Sequence, residues 1–335
     1  MKFARRSVLA CAVIALSGTA ALAQDIQERT IKFGHLNNAD HAVSFGVKRF
    51  AELLATKSGG KLKVQEFPSN QLGNEMQQQS ALQGGVQEMS APATTSLAGI
   101  VKEFGLVDFP FSVSTFEQAD KLLDGPLGQA LIAKLPEKGL VALGYWDLGF
   151  RNVTNSKRAI TKAEDLEGLK LRVIPNPVFL ESFKAFKANP VPMPFAELYG
   201  ALEAKAVDGQ ENPFAVIQSN KFYEVNKFVS ATNHVYAANI VLVSKRFWDK
   251  LSATEKKIMH EAADEARGYQ RQVSRAAAQK AVGDLKAAGM QYNEIAPAEQ
   301  ERMREIVKPV TDKFAASYDT AIVKLYNEEL AKARK

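Results

Sequence analysis

Thr30 to Phe33 alternates apolar and polar side chains like a short strand and runs into the polar loop Gly34-His35-Leu36-Asn37-Asn38-Ala39-Asp40. Val43, Val47, Phe50 and Leu54 follow at helical spacing, Gly59-Gly60 stops that helix, and Lys61 to Phe67 alternates again. A strand, a crossover helix and a second strand force parallel pairing, so the chain opens as α/β. Ser69 to Glu75 is a second loop at a strand end, followed by a helix to about Gln83 and a short strand over 86–91. Ala93-Thr94-Thr95-Ser96 is a third polar loop after a strand. Three such loops would converge on one edge of the sheet, where a ligand could sit.

Phe104 to Phe116 is apolar and punctuated by Pro110, a core segment. A helix over 126–137 precedes the strand Leu140 to Trp146, and Asp147 to Asn155 comes beyond it, placing Arg151 close to a strand end. Leu169, Leu171 and Val173 alternate with Lys170 and Arg172 until Pro175, which cannot donate to a sheet ladder. Arg172 thus falls at the carboxyl end of a strand, the edge at which open α/β sheets bind ligands. Its guanidinium offers a charged, planar fork that fits a ligand's carboxylate or phosphate, or an acidic neighbour.

Three alternating prolines make Asn189 to Pro194 a stiff extended segment that holds Phe195 at its end. Ala196 to Ala204 is helical, and a second helix starts at Pro213. Asn212 before it either caps that helix or donates its amide to an anion. Ser252-Ala-Thr-Glu255 is a capping box, and apolar positions then recur every three or four residues up to Gly289. About 37 helical residues at ~1.5 Å each make a rod of roughly 55 Å, long enough to back two domains. A further helix carrying Met303, Val307 and Phe314 is interrupted by Pro309, and a last one ends in basic residues.

Composition adds a compartment. Lys2, Arg5 and Arg6, the apolar run from Val8 to Leu16 and Ala21-Leu22-Ala23 form a signal peptide cleaved after Ala23, by the general secretory or the twin-arginine route. A periplasmic protein is expected. Cys11, the only cysteine, leaves with the signal, so no disulfide or thiol chemistry is expected of the remainder. Cleavage lowers the basic residues from 43 to 40 against 37 acidic ones, too balanced for nucleic acid. About 312 of the 335 residues remain, enough for two domains. The four histidines, His35, His41, His234 and His260, include no pair at ligand spacing, and no nucleophile elbow or phosphate-binding glycine loop is present. No metal or cofactor is expected, and the plentiful acidic residues leave a carboxylate-pair hydrolase open.

Phe33-Gly34-His35, Phe67-Pro-Ser-Asn-Gln-Leu-Gly73, Gly149-Phe150-Arg151, Asp165 to Val173, Val207-Asp-Gly-Gln-Glu-Asn-Pro213 and Lys221-Phe-Tyr-Glu-Val225, in this order, resemble the solute-binding subunit of TRAP transporters, the DctP family. The resemblance implies a two-lobed α/β binding protein with a hinged cleft and a long helix spanning both lobes. It implies one lobe from 24–149 with about 238–277, and the other from 150–237 with about 278–331. It implies a monomer that delivers an organic acid to TRAP membrane permease subunits. By position, Arg172 resembles the arginine that grips the substrate carboxylate, Arg151 the second arginine, Asn212 the assisting amide and Phe195 the ring lining the cleft. Leu36 and Ala93 or Thr94 depart from the sialic-acid-binding members, which carry asparagine and glutamate there.

Two arginines suffice for one carboxylate. The candidate far-end residues, His35, Asn37, Asn74, Glu75, Thr94 and Thr95, offer neutral polar groups and one acid, while Trp146 and Phe195 could pack on an aliphatic or sugar-ring face. A hydroxylated monocarboxylate such as a uronate or aldonate is therefore expected ahead of a C4-dicarboxylate. An exported sugar-acid enzyme is the alternative of another class.

Overall fold

The computed structural model describes residues 25–335; the signal peptide, its cleavage site and Cys11 lie outside the described residues. In chain order the strands are β1 (Arg29–Gly34), β2 (Leu62–Phe67), β3 (Met89–Ser90), β4 (Leu140–Asn155) and β5 (Lys170–Val173). They continue with β6 (Asn189–Pro192), β7 (Gly209–Pro213), β8 (Phe228–Ser244) and β9 (Gln291–Glu294). The helices are α1 (Ala42–Lys57), α2 (Glu75–Gly84), α3 (Phe116–Asp124), α4 (Pro126–Ile132) and α5 (Pro177–Ala185). After them come α6 (Leu198–Glu203), α7 (Phe214–Ser219), α8 (Lys245–Trp248), α9 (Ala253–Ala287), α10 (Pro297–Ser317) and α11 (Thr320–Ala333).

All strands join one sheet in the order β2-β1-β3-β8-β4-β7-β5-β6, with β9 beside β8. The expected β-α-β opening is present, β1 pairing parallel with both β2 and β3. Helices cover both faces at each end of the sheet, so each lobe has three layers. In the near lobe Phe33, Phe50 and Trp146 pack under α1 and the first half of α9, while Leu127, Leu131 and Tyr326 close the opposite face. In the far lobe Leu171, Phe183 and Val307 fill one face, and Leu202, Ile217 and Leu285 the other.

The long helix starts as expected, with Ser252 accepting from the Glu255 N–H and Glu255 answering the Ser252 N–H. Its 35 residues begin in the near-lobe core and end, at Leu285, in the far-lobe core.

Three expectations are corrected. Asp147 to Asn155 does not lie beyond the strand but is the second half of β4, which runs 16 residues and pairs along nearly its whole length with the 17-residue β8. These two strands pass from one lobe into the other, and their polar residues hide the alternation. Pro309 does not interrupt α10, which runs through it. The final helix leaves the far-lobe grouping expected of 278–331, because its apolar side chains Ile322, Val323, Tyr326 and Leu330 pack with α3 and α4.

The paired crossing strands are irregular where the lobes meet. Their register slips between Ala142 and Gly144, Asp147 and Gly149, and Arg151 and Val153. Such bulges bend a strand and raise its twist. Gly149, at φ 121°, takes a backbone shape that side chains disfavour, and a Cβ there would press on Pro213 at 3.3 Å. Buried Asp147 fastens this bend to α9. Gln270 accepts from its N–H and donates to its carbonyl, both at 2.8 Å, and Arg275 donates to its carboxylate at 2.6 Å.

Candidate functional site

Parallel strands deliver their carboxyl ends to one edge, and there the three near-lobe loops are tied to each other. Ser69 N–H donates to Asn37 O, Asn70 N–H to His35 O, and Ala93 N–H to the Glu75 carboxylate at 2.8 Å. Across the gap stand the end of β5, the segment that carries Phe195, and the tip of α7. The lobes touch directly. Asn38 donates to Ser219 O at 2.8 Å, and Asn176, the cap of α5, donates to Thr95 O and to Asp108, each at 2.8 Å.

Arg172 lies at the end of β5 as expected and is 1% exposed. Nε donates to Met193 O at 2.8 Å, which fixes the plane of the guanidinium, and Nη1 is buried without a partner. The Phe195 ring lies 6.0 Å from its guanidinium carbon, a cation–π approach. Burial, reinforced by Arg151 and opposed by Glu211 and Glu75, lowers Arg172 to about 10, so it stays charged at neutral pH.

Arg151 differs. It sits inside β4 rather than at a strand end, and the Glu211 carboxylate on β7 takes its Nε at 2.5 Å and its Nη2 at 2.8 Å. Burial alone would raise the Glu211 carboxyl, but Arg151 and His234 outweigh it and hold it below the ordinary range. His234 Nε2 lies 3.1 Å from Glu211 and Nδ1 2.8 Å from the Thr232 hydroxyl. Burial pushes the His234 pKa down, consistent with a neutral ring that donates from Nε2 and accepts at Nδ1. Arg151, expected as the second ligand arginine, thus already has a counter-charge within the protein.

Asn212 belongs to β7, and Pro213, not Asn212, caps α7. Its carbonyl oxygen accepts from Arg151 at 3.2 Å and its amide donates to Gln210. Phe195 lines two interlobe pockets, one of about 240 Å³ with Asn74, Glu75 and Ile174, the other of about 310 Å³ with Leu36, Asn38 and Asn220. Glu75 lines the first pocket, and burial raises its pKa against the pull of Arg172 and Arg151. Asp108 is likewise pushed well up by burial.

Several near-lobe candidates have other work. Trp146 is 1% exposed and stacks on Phe33 at 6.2 Å in the core, so it does not line the cleft. The Asn74 side chain accepts from the Gln77 N–H as the cap of α2, and the Thr94 hydroxyl donates to Ala238 O at 3.2 Å. His35 Nε2 pairs with Glu66 at 3.0 Å, leaving Nδ1 buried and unpartnered. Asn37 is fully buried with both side-chain polar atoms unpartnered, and Thr95 Oγ1 is unpartnered too.

Glu211 went unnoticed in the sequence although it sits in a quoted motif, because its partner is 60 residues away. Asn239 was missed as well. It is buried inside β8 with both amide atoms unpartnered, and the only signal was a polar residue in an apolar run.

Residues 33–317 match the family model described as bacterial extracellular solute-binding protein, family 7 (DctP). The chain is 37% identical over 277 residues to the 2,3-diketo-L-gulonate-binding periplasmic protein YiaO of Escherichia coli, covering 82% of this chain and 84% of that one. It is 32% identical to the C4-dicarboxylate-binding periplasmic protein DctP of Rhodobacter capsulatus, covering 88% of each. Among solved structures, the sugar acid binding protein DctPAm of Advenella mimigardefordensis in complex with galactonate is similar at a TM-score of 0.90 and 40% identity. That alignment covers 92% of this chain and 100% of DctPAm.

Proposed function

The chain belongs to the DctP family of bacterial extracellular solute-binding proteins, and on that footing we propose that it captures a hydroxylated monocarboxylate, an aldonate or uronate, in the periplasm for a TRAP-type permease. The observation that carries this reading is the unequal state of the two buried arginines. Arg151 is matched by Glu211, whereas Arg172 keeps a buried Nη1 with no partner. Burial disfavours the charged forms of Glu75 and Asp108, and Arg172 is the cleft cation left with an unfilled donor. One carboxylate neutralises it. A second would enter a closed, water-poor site without a counter-charge, and an unpaired buried charge costs several kcal/mol.

Arg172 grips the acid group, Phe195 covers it, and Asn212 and Arg151 hold the wall behind. Polar groups from the near lobe complete the grip when the lobes close, so the ligand stabilises the closed form by contacts that exist only there. Likeness to a galactonate-bound sugar acid binding protein and to a diketogulonate-binding protein supports the hydroxylated class. The C4-dicarboxylate reading has the Rhodobacter relative in its favour and the charge count against it.

Calorimetry with D-galactonate, D-gluconate, D-galacturonate and succinate tests this reading. At least one sugar acid is expected to bind at least ~10-fold more tightly than succinate, a difference of about 1.4 kcal/mol. Succinate binding more tightly than all three overturns the assignment. Mass spectrometry of the recovered ligand should show it unchanged, and turnover would make the protein an enzyme instead.

A further inference from the structure

Seven asparagines are buried among the described residues. Asn152, Asn155, Asn176, Asn212 and Asn226 each make side-chain hydrogen bonds, whereas Asn37 and Asn239 make none with either amide atom. An amide carries two donors and a carbonyl acceptor, and leaving them unmet out of water is expensive. Two such residues call for a common explanation.

The sheet register brings them together. Gly34 on β1 is level with Ser90 on β3, and Ser90 with Leu242 on β8. Three residues further along, Ala93 bridges Asn239, and Asn37 lies three residues past Gly34. Asn239 pairs with Trp146, and Trp146 stacks on Phe33, so all three side chains occupy one face. Asn37 follows β1 in the loop that carries Leu36 and Asn38, and its side chain is fully buried. β3 lies between β1 and β8, so the segment carrying Ala93 runs between the two asparagines and forms a notch.

This notch belongs to the cleft. Leu36 and Asn38, on either side of Asn37, line the interlobe pocket beside Phe195. Ala93 and Ala237, the latter two residues from Asn239 on the same face, pack in one cluster with Leu148, Val216 and Phe195. The backbone N–H of Ala93 is already taken by Glu75, so the notch offers the ligand amide groups rather than main chain.

We propose that Asn37 and Asn239 are a specificity-determining pair that reads hydroxyl groups on the carbon chain of the bound acid, the end remote from Arg172. This rests on the monocarboxylate reading above and adds to it which residues recognise the rest of the molecule. The chemistry selects hydroxyls. A carboxylate accepts only, so it would satisfy the amide N–H groups and leave both carbonyl oxygens bare. A hydroxyl both donates and accepts, and two neighbouring hydroxyls can meet both ends of each amide. Sites built to bond a hydroxyl reject the analogue that lacks it, because their own polar groups are then stranded.

The test is calorimetry on the wild type, Asn37→Leu and Asn239→Leu. The probes are D-galactonate, D-gluconate and succinate, and the single-deoxy analogues of whichever aldonate binds more tightly. The wild type should lose at least ~10-fold on removal of one particular hydroxyl. The leucine variants should bind the full aldonate ~10- to 100-fold more weakly, yet bind that deoxy analogue as well as the wild type does. Apo melting temperatures should not fall, since neither amide bonds to the protein.

If the wild type binds aldonates but the variants match it, or lose affinity equally for every analogue, the pair does not read hydroxyls and this inference alone falls. A fall in the apo melting temperature without a change in discrimination would mark the two as structural residues and overturn it as well. If the wild type prefers succinate, the monocarboxylate reading fails first and takes this one with it.

Discussion

The two walls of the cleft are finished to different degrees. On the far wall, Arg151, Glu211, His234, Asn212 and Gln210 bond to one another, and only the outer edge of Arg172 is left over. On the near wall no arginine or lysine stands among the candidates, yet Asn37, Asn239, Thr95 and His35 keep buried polar atoms without partners. Charge is thus placed in advance, in a frame whose own bonds hold it still. Groups that would sort one acid from another are left open. A preorganised cation avoids the cost of assembling itself around the ligand, whereas unmet amides favour ligands that can complete them.

Removing the leftover cation should break the contrast most severely. Arg172→Ala is expected to weaken aldonate binding by about 4 kcal/mol, because the ligand's charge is then buried unpaired. Its apo melting temperature should stay near that of the wild type, since the guanidinium makes only one hydrogen bond to the protein, to Met193 O. Arg172→Lys should recover only part of the loss, an ammonium being unable to reproduce the fork. Calorimetry and thermal melts check both, and an unfolded Arg172→Ala would make this arginine structural.

Glu211→Gln removes the counter-charge instead. Breaking a buried ion pair from one side destabilises by about 3 kcal/mol, visible in urea unfolding of the apo protein. The variant also carries one more net positive charge in the cleft, so succinate should gain on galactonate. An unchanged preference would mean that the charge count does not set selectivity.

The smallest effect concerns the neutrality of the near wall. His41 accepts from the Val43 N–H at 3.2 Å as the cap of α1, and burial, with His35 close by, lowers its pKa to about 3. The unfolded chain, with an ordinary histidine pKa near 6.5, takes up the proton first, so stability is lost as pH falls below about 6.5. Unfolding free energy should drop by roughly 1–2 kcal/mol between pH 7 and 5. His41→Asn, which keeps a cap, should flatten that limb except for the share due to His234, which burial also shifts downward. Stability that holds level over this range in the wild type would argue against a neutral buried His41.

Local signals carried part of this architecture. The helix cap at Ser252, the β-α-β opening and the strand carrying Arg172 near its end are legible because each is set by neighbours in sequence. The two longest strands were not, because Asp147, Arg151, Asn152 and Thr154 in β4 and Thr232, His234 and Asn239 in β8 break the apolar alternation. Each of those residues except Asn239 and Thr232, whose hydroxyl bonds to His234 two residues on, bonds to a partner at long range or across the pair. The Glu211 partner of Arg151 was hidden for the same reason, and Trp146 read as a cleft ring because its distance from a strand end says nothing about which face it takes.

The near-lobe core is closed by side chains from residues 322–330, near the end of the chain, packed on helices almost 200 residues earlier. A polypeptide that emerges amino end first, from a ribosome or through a membrane channel, cannot complete that core until nearly all of it has passed. Contacts so distant in sequence also slow folding. The order of the segments therefore makes closure of the near-lobe core wait for α11.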